Sequence, residues 1–526
     1  MFQIMTPQEA AALVSDGDTI GINAFLSLAN PSRLQDALAA RYAESGHPNG
    51  LTLYCASGFG GWDERLCADP YIAAGAVKSI VAGHFMSMPA ALRMISENRI
   101  EGYNMPLGVM AQMQRAAAGR QPGVYTRVGL NLFVDPRLEG PGLNERSKEA
   151  WVKLVEVDGE ELLFYRAPKF DVAFIRGTAA DPNGNITFDK ECVTADALSL
   201  AQATKANGGR VIVQVEGLSP VFTRPRSVIV PGVLVDAVVV CPDQHQIIKT
   251  EYNPSLSGDI HVPPTHMDYW MGRLRLSGKR GEQAANLSHE IIGARAAKEL
   301  RAGDVVNIGI GIPETVGPAA ARLGLLGSLT LTVESGGIGG LPAPGLAFGA
   351  TIGADVITDT SQQFDFYDGG GLDICFMGGF EVGSDGSVNA HRLPGRPAGI
   401  GGFANITQST GRIVFCVNFT AGGLEVAVED GKLRILREGR VRKFVRAVQS
   451  VSFSALNAHR SGQRVLYVTE RCVFRLGERG LEICEIAPGI DLRRDILDLL
   501  DFDAAVAEDL KTMDLSFAEA RQNDAG

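Results

Sequence analysis

Leu329-Thr330-Leu331-Thr332-Val333-Glu334-Ser335-Gly336-Gly337-Ile338-Gly339-Gly340 decides how this chain is read. The run Leu329 to Val333 alternates apolar residues with Thr, the period of a β-strand. Glu334 stands where that strand meets a glycine loop. In open α/β sheets ligands bind beyond the carboxyl ends of strands, so the stretch predicts such a sheet with Glu334 at its ligand-binding end. The glycines allow backbone conformations closed to other residues and a close approach of ligand to main chain. A nucleophilic carboxylate fits this position, and so does a solvated loop acid beside ordinary turns; the stretch alone leaves both open.

Working outward, 526 residues are too many for one core and predict at least two domains. A hydrophobic share of 45% with 21% charged residues is that of an ordinary globular chain, and disorder is expected only over the last residues, Arg521 to Gly526. The formal charge of −11 and the lack of basic runs exclude nonspecific nucleic-acid binding. Met1 to Glu9 has neither the basic nor the apolar segment of a secretory signal, and no stretch approaches the roughly 20 apolar residues of a membrane span. The eight cysteines show no CxxC spacing, so buried reduced thiols in a cytoplasmic protein are expected rather than disulfides or zinc.

Two distant segments share one plan. Glu9 to Gly21 and Arg295 to Asn307 each read as a short helix, a Gly-Asp turn (Gly17-Asp18, Gly303-Asp304) and a strand, followed by a loop with Pro31 or Pro313 and another helix. This points to an internal duplication. Pro, Gly and Ser punctuation from Asn253 to Asp259, then Pro263-Pro264, marks a boundary. The expected organisation is an N-terminal domain over 1–252, a linker over 253–285 and a C-terminal domain over 286–526. Continuous apolar runs at 211–215, 237–240 and 413–417 suit strands covered on both faces, and helical periodicity runs over 196–207 and 290–301. Two open α/β domains with largely parallel sheets result.

Three further constellations carry candidate chemistry. Asn307-Ile308-Gly309-Ile310-Gly311-Ile312-Pro313-Glu314 follows a strand and opens a helix, where amides can bind an anion or oxyanion. Glu314 takes the place a dinucleotide fingerprint gives to glycine and would repel a pyrophosphate, which disfavours NAD. Gly399-Ile400-Gly401-Gly402-Phe403 can bring backbone N–H groups to a reacting carbonyl, or be a plain loop. Phe364 to Asp373 sets three carboxylates around Gly369-Gly370-Gly371; its spacing is not that of a calcium loop, and loop architecture is expected. His84 reads as a hydrogen-bonded structural residue, no HExxH or GxSxG motif occurs, and no metal site is expected. Catalysis would then need a group that acts without a base or metal; Glu, with a reference pKa near ~4.3, is ionised at neutral pH and can attack an activated carbonyl.

Together these residues resemble the family I CoA-transferases, and within them the propionate and acetate CoA-transferases. The similarity spans nearly the whole chain. It is carried by Thr332 to Gly336, Phe364 to Asp373, Gly401-Gly402-Phe403-Ala404-Asn405-Ile406, Phe419 to Gly423, Tyr467-Val468-Thr469-Glu470-Arg471 and Glu485 to Asp491. Glu97 to Asn104 and Phe133 to Arg137 carry it in the first half. The resemblance implies the CoA-transferase fold, Glu334 as catalytic glutamate, and passage through an acyl-glutamyl anhydride and a glutamyl-CoA thioester. It implies acyl-CoA and a short-chain carboxylate such as acetate or propionate as partners, no cofactor beyond coenzyme A as substrate, and a homo-oligomer, dimer or tetramer. Amides of Gly309, Gly311, Gly401 and Gly402 are the expected oxyanion or CoA contacts, each worth roughly 3 kcal/mol in the transition state. A reactive anhydride needs shielding from water, which favours a closed cleft. One departure stands out: relatives usually carry Gln where this chain has Leu107, and Leu cannot donate a hydrogen bond. Leu107 is therefore expected to add apolar surface at the acyl group and shift acyl preference. Two other readings remain open here, an acyl-CoA hydrolase on the same fold and a noncatalytic CoA- or nucleotide-binding α/β protein.

Overall fold

The computed structural model of the chain describes residues 2–262 and 286–516. It separates into two compact units: Met1–Lys279 with Val333–Phe366 and Leu393–Asn405, and Arg280–Thr332 with Tyr367–Arg392 and Ile406–Gly526. The first unit is built on eight strands: β1 (Gln3–Met5), β2 (Thr19–Ile22), β3 (Leu51–Cys55), β4 (Val77–Ala82), β5 (Glu101–Asn104), β6 (Val172–Arg176), β7 (Arg210–Val215) and β8 (Ala237–Val240). They lie in the order β1-β8-β7-β6-β2-β3-β4-β5, every neighbouring pair parallel. A parallel sheet needs crossover helices on its faces, which is why β6 is buried along its whole length and is apolar from Val172 to Ile175 before ending at the buried Arg176.

The second unit carries β9 (Val305–Ile308), β10 (Thr330–Thr332), β11 (Ile374–Met377), β12 (Arg412–Cys416), β13 (Arg464–Val468), β14 (Cys472–Gly477), β15 (Gly480–Ile486) and β16 (Ala505–Thr512). Here β10-β9-β11-β12-β13 are parallel, β14 and β15 add an antiparallel hairpin beside β13, and β16 pairs parallel with β15.

The order β3-β2-β6-β7-β8 in one unit is repeated as β10-β9-β11-β12-β13 in the other, and the hydrogen bonds repeat with it. Asp18 and Asp304 each accept from the backbone three residues earlier, at Ser15 (2.7 Å) and Arg301 (2.8 Å). The residue opening each first strand, Thr19 or Val305, donates its N–H to a distant carboxylate, Asp171 (2.9 Å) or Asp373 (2.8 Å). Gly17 and Gly303 occupy the left-handed region that the turn requires, at φ 79° and 89°. The duplicated plan read from the Gly-Asp turns is thus matched bond for bond.

Three local expectations change. The stretch from Phe364 is not a loop throughout: Thr360–Asp368 is a helix that stops at the glycine triplet. Phe364 and Tyr367, one helical turn apart, are both buried, and that shared face outweighs the pull of the glycines toward a turn. Asp373, counted there as a cluster carboxylate, caps Val305 instead. Residues 253–262 of the expected linker are built into the first unit, with Ser255 and Leu256 fully buried and the Ser255 carbonyl accepting from Gly353 N–H at 2.9 Å. The remainder of that linker, 263–285 with Pro263-Pro264, lies outside the described residues, as does the C-terminal stretch 521–526. Segments 333–366 and 393–405 group with the first unit although they follow residue 286, so the chain does not divide by a single cut.

Candidate active site

Two residues beyond the end of β10, the chain makes a tight turn in which Val333 N–H donates to Gly337 O (2.8 Å) and Gly336 N–H returns to Val333 O (3.0 Å). Glu334 and Ser335 form its crest. Gly336, at φ 118°, is required there: a Cβ would lie 1.9 Å from the Thr358 carbonyl. Ser335 is fully buried and its hydroxyl donates to Gly349 O. The Glu334 side chain is half-buried. Burial pushes its carboxyl up to about 7, and the backbone N–H of Gly402, which donates to the carboxylate, acts the other way. The expectation of an acid fully ionised at neutral pH is therefore revised: burial makes this carboxyl hold its proton to higher pH than a free one.

The loop presenting Gly402 belongs to the same unit and is pinned at several points. Gly401 N–H donates to Gly83 O (2.8 Å), Phe85 N–H to Ala398 O (2.9 Å) and Leu107 N–H to Gly401 O (2.9 Å). The Asn104 side chain accepts from Ile400 N–H at 3.0 Å. A Cβ on Gly402 would meet Glu334 Oε2 at 2.7 Å and Phe364 Cζ at 2.8 Å, so the absence of a side chain is what lets main chain, carboxylate and ring come together. Gly108 plays the same part on the other side of the ring, where a Cβ would meet Phe364 at 2.5 Å. Gly108 N–H donates to the fully buried Asn405 side chain at 3.2 Å.

The structure brings Glu334, Gly401, Gly402 and Leu107 into one neighbourhood. Gly309 and Gly311 belong to the other unit, where Gly309 N–H donates to Phe376 O at 2.8 Å and Gly311 is exposed at φ 88°. Since the amides of Gly309 and Gly401 are committed to protein carbonyls, Gly402 is the glycine of the four whose N–H meets the candidate nucleophile. Leu107 opens the helix Leu107–Ala118 and is 1% exposed, its side chain against Gly83. Phe364, Asn104 and Asn405 were not singled out as site residues by the sequence; the signal available for them was only that each falls in a stretch shared with the family.

His84 is bonded through its backbone, with its N–H donating to Ser57 O at 3.0 Å; its ring Nδ1 is buried without a hydrogen-bond partner among the described residues, and burial lowers the imidazole to about 4. The Thr469-Glu470-Arg471 stretch builds core rather than site: Arg471 and Glu470 are fully buried and paired at 2.7 Å, with Glu438 on the same guanidinium. Among the described residues no group of three or more His, Cys, Asp or Glu is placed to hold a metal ion, and no helix is long and apolar enough to cross a membrane.

A parallel α/β sheet unit thus occurs twice in the chain, and a partly buried Glu lies on a glycine turn beyond a strand end. The coenzyme A transferase family model matches residues 4–241 and 289–415, and the chain belongs to that family, as a family I CoA-transferase. It is 41% identical to the caffeate CoA-transferase of Acetobacterium woodii, over 98% of this chain and 97% of that protein. It is 40% identical to the acetate CoA-transferase YdiF of Escherichia coli K12, over 97% of this chain and 94% of that one. The crystal structure of the YdiF apoenzyme from E. coli O157:H7 superposes with a TM-score of 0.90 at 38% identity, covering 98% of this chain and 95% of that one. A second structure of that enzyme, a thioester complex with CoA, gives 0.89 at the same identity and coverage. The chain is a CoA-transferase.

Proposed function

We propose that the enzyme moves CoA from a short-chain acyl-CoA to a free carboxylate such as acetate or propionate, with Glu334 as the nucleophile. The observation that carries this reading is the half-buried Glu334 carboxylate, raised by burial to about 7 and held by Gly402 N–H. A carboxylate stripped of water is a stronger nucleophile than a solvated one, and a single fixed donor orients it without quenching it. In the first step a Glu334 oxygen attacks the thioester carbonyl; the C–S bond breaks, giving an acyl-glutamyl anhydride and CoA thiolate. The thiolate attacks the glutamyl carbonyl, releasing the first acid and leaving glutamyl-CoA. The incoming carboxylate then attacks the glutamyl thioester, and the thiolate expelled attacks the new acyl carbonyl, restoring Glu334. One thioester is exchanged for another, with no net proton uptake and no ATP. No cofactor besides CoA enters the scheme. The thioester complex of the E. coli relative supports it.

Leu107 is the residue to which we assign a shift in acyl preference, since a buried leucine stands where the family resemblance implies an amide. The caffeate-transferring relative makes an aromatic acid the natural competitor in any substrate test. Incubating the enzyme with propionyl-CoA, with and without acetate or caffeate, tests the reading. Acyl-CoA of the added acid should form only when that acid is present, with acetate the better acceptor. Release of free CoA at the same rate without any acceptor would make the enzyme a hydrolase and refute the proposal.

A further inference from the structure

Asn104 closes β5, the edge strand of the first sheet, and is 0% exposed, so every polar atom of its side chain must be satisfied by protein. Its Nδ2 donates to Ala82 O at 2.9 Å and to Gly83 O at 2.8 Å, just past the end of β4. Its Oδ1 accepts from Ile400 N–H at 3.0 Å. The Gly83 carbonyl that takes one of these bonds also takes Gly401 N–H. One carboxamide thus ties the end of β4 to the loop that ends in Gly402. Gly399 presses the two together: at φ 94°, a Cβ there would lie 2.7 Å from both Gly83 O and His84 Cα.

The loop needs such an anchor for a physical reason. Gly401 and Gly402 have no side chains to restrict their dihedrals, so the direction of Gly402 N–H is set by what holds the residues before it. Those residues are held by Asn104 and by the carbonyl that Asn104 fixes. We propose that Asn104 is a positioning residue of the transfer reaction, aiming Gly402 N–H at the Glu334 carboxylate through Ile400 and Gly401. No other natural side chain of this size offers two donors and an acceptor at once: Asp would face two carbonyls with lone pairs, and Leu would take the acceptor from Ile400 N–H and a donor from each of Ala82 O and Gly83 O, leaving Gly83 O only its bond from Gly401 N–H.

The inference rests on Glu334 being the nucleophile, so the experiment reads both. Wild type, Asn104→Ala and Asn104→Ser, as full-length enzymes, are assayed for exchange between acetyl-CoA and propionate from pH 5.5 to 9, and the rate at which acyl-CoA alone labels the protein with CoA is followed by mass. Asn144→Ala serves as control: that side chain donates to Ile95 O and Ile100 O in the same unit, without touching the 398–402 loop. Loss of aim should lower kcat about 10- to 100-fold in Asn104→Ala with KM for acyl-CoA within about threefold of wild type. The acidic limb of the kcat profile should move up by roughly half to one pH unit as the carboxylate loses its donor. Asn104→Ser, which keeps a hydroxyl, should fall between Asn104→Ala and wild type, and Asn144→Ala should melt earlier while its acidic limb stays in place. An unmoved acidic limb in both Asn104 variants, whatever their kcat, would overturn the inference, as would recovery of both only as unfolded chains. Absence of CoA labelling in wild type would instead overturn the reading of Glu334.

Discussion

Replacing Gly402 by Ala puts a methyl group in place of a hydrogen at the most crowded point of the site. The new Cβ would stand 2.7 Å from Glu334 Oε2, 2.8 Å from its Cδ and 2.8 Å from Phe364 Cζ, with ordinary contact beginning at about 3.4 Å. Carboxylate and ring must each withdraw by more than half an ångström, and the N–H that holds the carboxylate loses its partner. Misplacement on this scale costs on the order of 100-fold in rate, about 2.7 kcal/mol of transition-state stabilisation. Overpacking adds about 1–3 kcal/mol of destabilisation, which leaves a folded protein with a melting point several degrees lower. Gly401→Ala is the internal comparison. At φ 54° it has no atom within 4 Å of the added methyl, so only the left-handed backbone strain of about 1 kcal/mol applies and the rate should fall far less. Initial rates of propionyl-CoA formation from acetyl-CoA and propionate, with thermal melts of each variant, give the answer. A Gly402→Ala enzyme within threefold of wild type, or no more impaired than Gly401→Ala, would refute the reasoning.

The remaining expectations follow from burial and charge. Glu334 binds its proton more tightly in the folded state, so its contribution to stability is greatest below the unfolded pKa near ~4.3 and is lost as pH rises toward about 7. Glu334→Gln should therefore gain stability relative to wild type between pH 5 and 8, by at most about 3 kcal/mol, measured by urea unfolding at both pH values. Asp196 behaves alike, raised to about 7 by burial and by neighbouring Asp359; Asp196→Asn, which still accepts from Ser361 N–H, should be the more stable protein at pH 8 and lose that advantage at pH 4. Glu191→Ala leaves the 2%-exposed Arg176 without its carboxylate, held now at 2.8 Å, and should cost about 3–5 kcal/mol in urea unfolding. Leu107→Gln should change the ratio of acetyl- to propionyl-CoA turnover; an unchanged rate and ratio would remove Leu107 from the acyl site.

Much of the fold could be read before any coordinates, because its decisive interactions are local. The Gly17-Asp18 and Gly303-Asp304 turns carry their own hydrogen bonds three residues apart, and apolar runs such as 211–215 announce strands covered on both faces. What completes the repeat was not legible: Asp171 reaches Thr19 across 152 positions, and nothing near either residue marks the bond. The helix at Thr360–Asp368 was obscured by its own stop signal, since three glycines dominate a stretch whose helical evidence is one buried pair, Phe364 and Tyr367.

In the site, Glu334 was legible from its place after a strand, but its environment was not. Burial raises the acid toward neutrality and a single amide donor opposes it, and that donor, Gly402, comes from a distant part of the sequence. The glycine loops looked equivalent as sequence. Only the backbone bonds distinguish Gly309 and Gly401, whose N–H groups serve protein carbonyls, from Gly402, whose N–H serves the carboxylate. Asn104 was quoted as part of a family-like stretch without a role, because its partners are brought to it from Ala82, Gly83 and Ile400.

The central claim is that Glu334 becomes covalently bonded to CoA. Mixing the enzyme with acyl-CoA in the absence of any acceptor acid, quenching in acid and localising the added mass by digestion tests it most directly. One CoA-sized adduct per chain is expected on the peptide containing Glu334, discharged by added acetate and absent from Glu334→Ala. A CoA adduct that persists in Glu334→Ala, or that maps to another residue, would contradict it.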